Sequence, residues 1–223
     1  IEAMGKYARG FVKLEKEMIS ESKELLEAMG IAVVQAPGEG EMQCAKHVKD
    51  REAYAVGSQD YDALVVGGDR LIQNLTLARK RKTVSGYVDI MPEMIEYRDV
   101  LQTLGIDQDQ FICLAILVGT DFNHGGVKGI GPKKALALVR QKKYPVQIFH
   151  EIEEHLDFNW QEIFEIFKKP NVKSIKITFP KMNEDKIKKI LVEEHDFSSE
   201  RIEKQFEKLK EEKKKSMQSK LFF

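Results

Sequence analysis

The stretch Ile31-Ala32-Val33-Val34-Gln35-Ala36-Pro37-Gly38-Glu39-Gly40-Glu41 decides the reading of the fold. Its first five residues are a short apolar run of the buried-strand kind, and Pro37-Gly38 ends it. Residues 40–50 then read as a helix with Met42, Ala45 and Val48 along one side. Residues 54–57 read as a second strand, and Leu64-Val65-Val66 before Gly67-Gly68 as a third. Strands alternating with helices predict an α/β layer, a mainly parallel sheet flanked by helices. Residues 71–75 and 87–90 add short strands on either side of the basic stretch Arg79-Lys80-Arg81-Lys82.

Outward from this core, residues 2–29 read as a helix with Phe11, Leu14, Met18, Leu25, Leu26 and Met29 at helical spacing, stopped by Gly30. Ile1 is not a start methionine and that helix has no capped beginning, so the chain is expected to be a fragment or one half of a split protein. Toward the C-terminus the pattern turns helical, with helices expected over 92–104, 107–118, 132–140, 145–156, 160–168, 184–193 and 199–214. The expected division is an α/β part over 1–105, a helical part over 106–215, and a flexible tail over 216–223.

The 223 residues are 42% hydrophobic and 32% charged, a folded rather than a disordered composition. No apolar run approaches the roughly 20 residues of a membrane helix. Two cysteines, Cys44 and Cys113, suit neither a disulfide framework nor a cysteine-rich zinc site, which points to a reduced, intracellular setting. The net charge of zero hides an asymmetry: residues 168–223 hold 16 basic and 10 acidic side chains, leaving 20 and 26 of the 36 and 36 for residues 1–167. A basic end suits a polyanion, and an acidic body suits divalent cations; solvated helix faces explain the same numbers.

Carboxylates stand where α/β proteins keep their chemistry. Glu39 and Glu41 follow the first strand, Asp60 and Asp62 follow the second, and Asp121 follows the apolar run Ile116-Leu117-Val118-Gly119. Ligands bind beyond the carboxyl ends of strands in open α/β sheets. Crowded carboxylates either take up protons or need a cation. Hard oxygen donors suit Mg²⁺ or Mn²⁺, and two such ions about 4 Å apart can activate water for phosphodiester hydrolysis. Taken pair by pair, the same residues also serve as helix N-terminal charges or turn formers. The histidines His47, His124, His150, His155 and His195 have no zinc spacing.

Between two expected helices lies Gly126-Val127-Lys128-Gly129-Ile130-Gly131-Pro132-Lys133-Lys134-Ala135. Gly129 and Gly131 allow a tight turn, and Pro132 fits a first helical position. Free backbone N–H groups there, beside Lys128, Lys133 and Lys134, suit a phosphate backbone. A plain helix-to-helix turn explains the glycines but not the lysines. No nucleotide P-loop pattern occurs.

Together these stretches resemble the archaeal and eukaryotic flap endonuclease family. The matching residues are Gln35 to Glu41, Ser58-Gln59-Asp60-Tyr61-Asp62, Arg70-Leu71-Ile72-Gln73-Asn74-Leu75-Thr76, Leu117-Val118-Gly119-Thr120-Asp121, the glycine hairpin, and Glu193-Glu194-His195-Asp196-Phe197-Ser198. The resemblance implies a PIN-like α/β nuclease core followed by a helical part with a helix–hairpin–helix type DNA-binding element. It implies a metal-dependent enzyme cutting 5′ flaps and related branched DNA in replication and repair. Glu39, Glu41, Asp60, Asp62 and Asp121 match five of the family's catalytic, metal-holding carboxylates. Lys128, Gly129, Gly131, Lys133 and Lys134 match its duplex-holding hairpin, which in the family also takes a potassium ion. Gly38 stands where the family has serine.

The family's N-terminal region, with two further aspartates and a basic helical arch, has no match here. The active site is therefore expected to be incomplete, with a separate N-terminal chain as one source of the rest. Binding of branched DNA and a clamp without cutting is the alternative function. Gln218, Leu221, Phe222 and Phe223 resemble the family's sliding-clamp-binding tail, with the aromatic pair two positions early. A metal phosphatase for small substrates also accounts for the carboxylates, but leaves the hairpin unexplained.

Overall fold

A computed structural model describes residues 14–76, 80–84 and 86–219. Contacts divide the chain into two units. One is Gln35–Lys176, and the other joins Ile1–Val34 to Ile177–Phe223. The expected boundary at 105/106 falls inside the first unit, which holds the α/β elements and most of the helices together.

In the Gln35–Lys176 unit, α2 (Gly40–Lys49) buries Met42, Ala45 and Val48, as their spacing predicted, and also the polar Gln43 and His47. Strand β1 (Val56–Gly57) leads into a short helix α3 (Asp62–Val65). Strand β2 (Arg70–Gln73) lies between β1 and β5 (Glu93–Glu96). The β1–β2 pair is parallel, Val56 opposite Leu71, and the β2–β5 pair antiparallel, Leu71 opposite Ile95. The sheet is thus small and mixed rather than mainly parallel, within an α/β unit. A separate antiparallel hairpin joins β3 (Lys80–Thr83) to β4 (Gly86–Asp89).

Several expected elements differ, and the basic stretch expected to separate two strands itself forms β3. Residues 31–35 form no strand: Ala32, Val33 and Val34 are partly buried, and Ile31 and Gln35 are exposed. Leu64-Val65-Val66 is not a strand: Leu64 and Val65 close α3, and all three are buried. Such a short apolar run fits the interior in either form. Residues 93–96, expected to begin a helix at Pro92, pair with β2 instead, and helix α4 (Tyr97–Leu104) starts after them and stops at the left-handed Gly105.

Helix α5 (Gln108–Val118) begins with a capping box: Asp107 accepts from Gln110 N–H, and the Gln110 side chain accepts from Asp107 N–H. Ile112, Ile116 and Leu117 are fully buried, so α5 is the core helix of this unit. Against it pack α6 (Pro132–Gln141), α7 (Pro145–His150) and α8 (Trp160–Lys168). Phe167 of α8 is fully buried, and Trp160 stacks on Phe149 with ring centroids 4.3 Å apart. A 3₁₀ turn, Glu153–His155, takes the place of the expected last turn of α7.

In the other unit, α1 (Lys16–Ala28), α9 (Glu184–Lys188) and α10 (Ser199–Ser219) bury Ala28, Ile187 and Phe206 together. Gly30, at φ +82°, ends α1 as expected, and Ile31 N–H donates back to Leu26 O at 3.0 Å. The helix after α9 is wound as a π-helix over Lys189–Glu194. Helix α10 runs to Ser219, past the expected end at 214. Leu221, Phe222 and Phe223 of the clamp-like tail lie outside the described residues, as does the side chain of Gln218. No helix among the described residues is long and apolar enough to cross a membrane.

Candidate metal centre and duplex-binding hairpin

Each expected carboxylate sits at the start or end of an element. Glu39 takes the N-cap position of α2, but its side chain makes no capping bond. A helix-start role therefore leaves that carboxylate unused. Glu41 lies in the first turn of α2 and accepts a short hydrogen bond from Ser58 Oγ. Its other oxygen, Oε2, is buried with no hydrogen-bond partner. An orphaned buried carboxylate oxygen is costly unless something else neutralises it.

Asp60 stands in the turn between β1 and α3, and Asp62 is the first residue of α3. Ser58 Oγ also accepts from Asp60 N–H at 3.1 Å, tying that turn to Glu41. Asp121 is exposed in the turn after α5. The next residue, Phe122, packs edge-on against Phe167 with centroids 5.7 Å apart, which anchors the turn. Gly126, at φ +63°, lets the chain return: a Cβ there would lie 2.4 Å from Val118 C. Val127 N–H then donates to Leu117 O at 2.9 Å.

Electrostatics shows the convergence most clearly. Burial, and then the charges of Glu41, Asp121, Asp60 and Glu39, push the Asp62 carboxyl up to about 6. All four other candidate carboxylates thus act on Asp62, although they come from three separate stretches of chain. Asp60, Asp62 and Asp121 line one open cleft of about 630 Å³ whose floor includes Leu64, Val65 and Phe111. His124 lines it too, a residue that sequence spacing set aside and that only its position three after Asp121 signalled. Among the described residues, no three His, Cys, Asp or Glu side chains stand close enough to hold a metal ion by themselves. The carboxylates share a field without closing into a cage. Cys44 is no candidate nucleophile, since burial and Glu41 both push its thiol upward.

The hairpin keeps its expected form. Val127 is buried, while Lys128, Gly129, Gly131, Lys133 and Lys134 are exposed. Gly131 is the N-cap of α6 with Pro132 next, and Gly129 is left-handed at φ +81°. The ammonium of Lys134 donates to Gly129 O at 3.2 Å. The helix start thus offers backbone donors and cationic side chains on one exposed surface.

A family model described as the XPG I-region matches residues 30–121, which span four of the five carboxylates and end on the fifth. The chain is 44% identical to flap endonuclease 1 of Aeropyrum pernix over 214 residues, covering 94% of this chain and 61% of that protein. It is 42% identical to flap endonuclease 1 of Thermococcus onnurineus over 224 residues, covering 99% and 65%. Among solved structures, flap endonuclease-1 from Methanococcus jannaschii superposes with a TM-score of 0.76 at 38% identity, over 93% of this chain and 62% of that one. The catalytic core of Rad2 in complex with DNA substrate has the same fold, with a TM-score of 0.64 at 19% identity over 89% and 70%. The chain spans about three fifths of the length of the flap endonucleases it matches.

Proposed function

We propose that the chain belongs to the flap endonuclease family and carries the metal-holding carboxylates and duplex-holding hairpin of a structure-specific nuclease. The substrate is branched DNA with a 5′ flap, of the kind formed in replication and repair, and the reaction is phosphodiester hydrolysis. The observation that carries this reading is the common field of Glu39, Glu41, Asp60, Asp62 and Asp121 centred on Asp62.

The donor set fits a hard divalent cation. It is all oxygen, it is strongly self-repelling, and Glu41 Oε2 is a buried oxygen in want of a partner. Magnesium keeps several of its waters and does not require an all-protein cage. Glu39, Glu41, Asp60, Asp62 and Asp121 would hold such ions, and Mg²⁺ or Mn²⁺ bound there would supply a nucleophilic water and neutralise the leaving oxygen. The chain's own parts do the rest. Asp60, Asp62 and Asp121 face the cleft and Glu41 holds its position through Ser58. The hairpin N–H groups with Lys128, Lys133 and Lys134 grip backbone phosphates without reading sequence. A potassium ion at the hairpin is part of the proposal; Lys134 already places its ammonium 3.2 Å from Gly129 O, a cation that would compete with such an ion. The proposal extends to a sliding clamp held by Gln218, Leu221, Phe222 and Phe223.

A second reading has one observation in its favour, the absence of a three-ligand group among the described residues. Under it the chain binds branched DNA and needs ligands from a separate N-terminal chain to cut. Incubation of a labelled 5′-flap duplex with the chain in Mg²⁺, against an EDTA control, tests both. Metal-dependent incision at the junction supports the first reading, and binding without incision supports the second. In the first case Asp60→Ala and Asp121→Ala abolish cutting while sparing DNA binding. Normal cutting by both variants refutes the metal assignment.

A further inference from the structure

Three of the buried polar side chains in this protein are amides that fasten the carboxylate-bearing segments, and we propose that Gln43, Gln73 and Asn123 are positioning residues that hold these segments in register for a divalent cation. The inference rests on the metal reading above and deepens it.

Gln43 is 2% exposed, one turn after Glu39 on α2. Its amide pairs at two points with the main chain of Lys173, donating to Lys173 O at 2.8 Å and accepting from Lys173 N–H at 2.9 Å. The strap after α8 is thereby fixed to the helix start that carries Glu39 and Glu41. Asn171 of the same strap donates to Pro37 O at 3.4 Å, just ahead of that helix.

Gln73 is 9% exposed, because alternation along β2 turns it to the same inner face as Leu71. It donates to Gln59 O at 2.7 Å and accepts from Tyr61 Oη at 3.4 Å. Those two partners flank Asp60.

Asn123 is 7% exposed and holds the turn of Asp121. It donates to Ile116 O at 2.7 Å, in the last turn of α5, and accepts from Thr120 Oγ1 at 2.7 Å and Thr120 N–H at 3.2 Å.

The chemistry explains the choice of residue. Gathered carboxylates repel, so the segments bearing them need fastening to the body of the fold. A lysine or arginine in the fastening position would compete with a cation for the carboxylates. Another carboxylate would add to the repulsion, and an apolar side chain would leave the main-chain groups unsatisfied. An amide donates and accepts at once and carries no charge. Gln110 is an internal comparison. It is a buried amide too, at 8% exposure, and donates to Val139 O and Lys142 O, tying α5 to the C-terminal end of α6 rather than to a carboxylate segment.

Mn²⁺ titration followed by electron paramagnetic resonance, with thermal melts in EDTA, tests this on the full chain and on Gln43→Met, Gln73→Met, Asn123→Ala and Gln110→Met. The three fastening variants are expected to bind Mn²⁺ about tenfold more weakly than wild type, the low end of what loss of a direct partner of a metal ligand costs, since they hold the segments and not the carboxylates themselves. Gln110→Met is expected to melt earlier yet bind within about twofold of wild type. Should Asn123→Ala not fold, Asn123→Ser keeps an acceptor for Thr120, loses the reach to Ile116 O, and is expected to weaken binding severalfold. Wild-type affinity in the fastening variants overturns the inference and leaves the metal site standing, as does an equal loss in Gln110→Met. Absence of Mn²⁺ binding by wild type overturns the inference together with the reading beneath it.

Discussion

Replacing Asp62 with asparagine should stabilise the metal-free protein and at the same time weaken its response to metal. In the folded chain the Asp62 carboxyl titrates at about 6, against an ordinary 3.8, because of burial and the charges of Glu41, Asp121, Asp60 and Glu39. That gap corresponds to roughly 3 kcal/mol against the ionised group. Solvent screening at a half-buried site reduces it to about 1–2 kcal/mol. The sign follows from linkage. A carboxyl whose folded value is raised binds its proton more tightly folded than unfolded. Its contribution favours folding at low pH and is lost as pH rises from about 4 through about 6. The amide of Asp62→Asn has no such titration. In EDTA at about pH 8 the variant should therefore melt roughly 3–6 °C above wild type, and the difference should shrink toward about pH 4. Millimolar Mg²⁺ should raise the wild-type melt and move the variant much less, since the charge removed is one the cation would have used. Equal melts in EDTA at high pH, or equal gains in Mg²⁺, would refute the argument that Asp62 is held in a cluster of like charges awaiting a cation.

Two other perturbations reach the site from different directions. Gly126→Ala places a Cβ 2.4 Å from Val118 C in a left-handed conformation, so the turn carrying Asp121 must move. We expect a loss of at least about 2 kcal/mol in urea unfolding together with loss of Mn²⁺ binding; an unchanged variant would contradict the described turn. Lys133→Ala with Lys134→Ala should weaken duplex binding across all sequences and flatten the plot of log affinity against log salt by about 2. Retention of the wild-type slope in filter binding would remove the hairpin from the duplex interface.

Much of this was legible in the sequence where a local signal and a tertiary need agree. The helix expected over 107–118 is α5, and the structure adds its capping box, Asp107 with Gln110. The helix expected over 160–168 is α8, and the structure shows Asn159 capping it. The glycines and Pro132 mark the hairpin for the same reason. The reading failed where pairing depends on distant chain. Residues 93–96 look like a helix start because Pro92 precedes them, but β2 supplies an edge that no local pattern reveals. Leu64-Val65-Val66 is too short for periodicity to separate strand from helix. The unit joining the first 34 residues to those after Lys176 rests on contacts such as Asn183 N–H to Ala28 O at 2.7 Å, which sequence order conceals.

At the site, the carboxylates stood out because three acidic groups at element ends are informative together, although each pair alone also suits a helix start or a turn. The amides that fasten them did not. Gln73 in Arg70-Leu71-Ile72-Gln73 reads as the polar member of an alternating strand, yet the structure turns it inward beside Leu71. Gln43 lies beside Met42 on a helix whose expected inner face is Met42, Ala45 and Val48, and it is among the most buried polar residues. Burial of a polar side chain becomes visible only when its partners, Lys173 for one and Gln59 for the other, are brought in from elsewhere in the chain.

The central claim is that the carboxylates of three separate segments form one divalent-cation site. Crystals of the chain soaked in Mn²⁺, measured at the manganese absorption edge, would test it without relying on activity. Anomalous peaks are expected in the cleft lined by Asp60, Asp62 and Asp121, and they should disappear in crystals of Asp62→Asn grown the same way. Peaks confined to other surfaces of the molecule, or an empty cleft at saturating Mn²⁺, would contradict it.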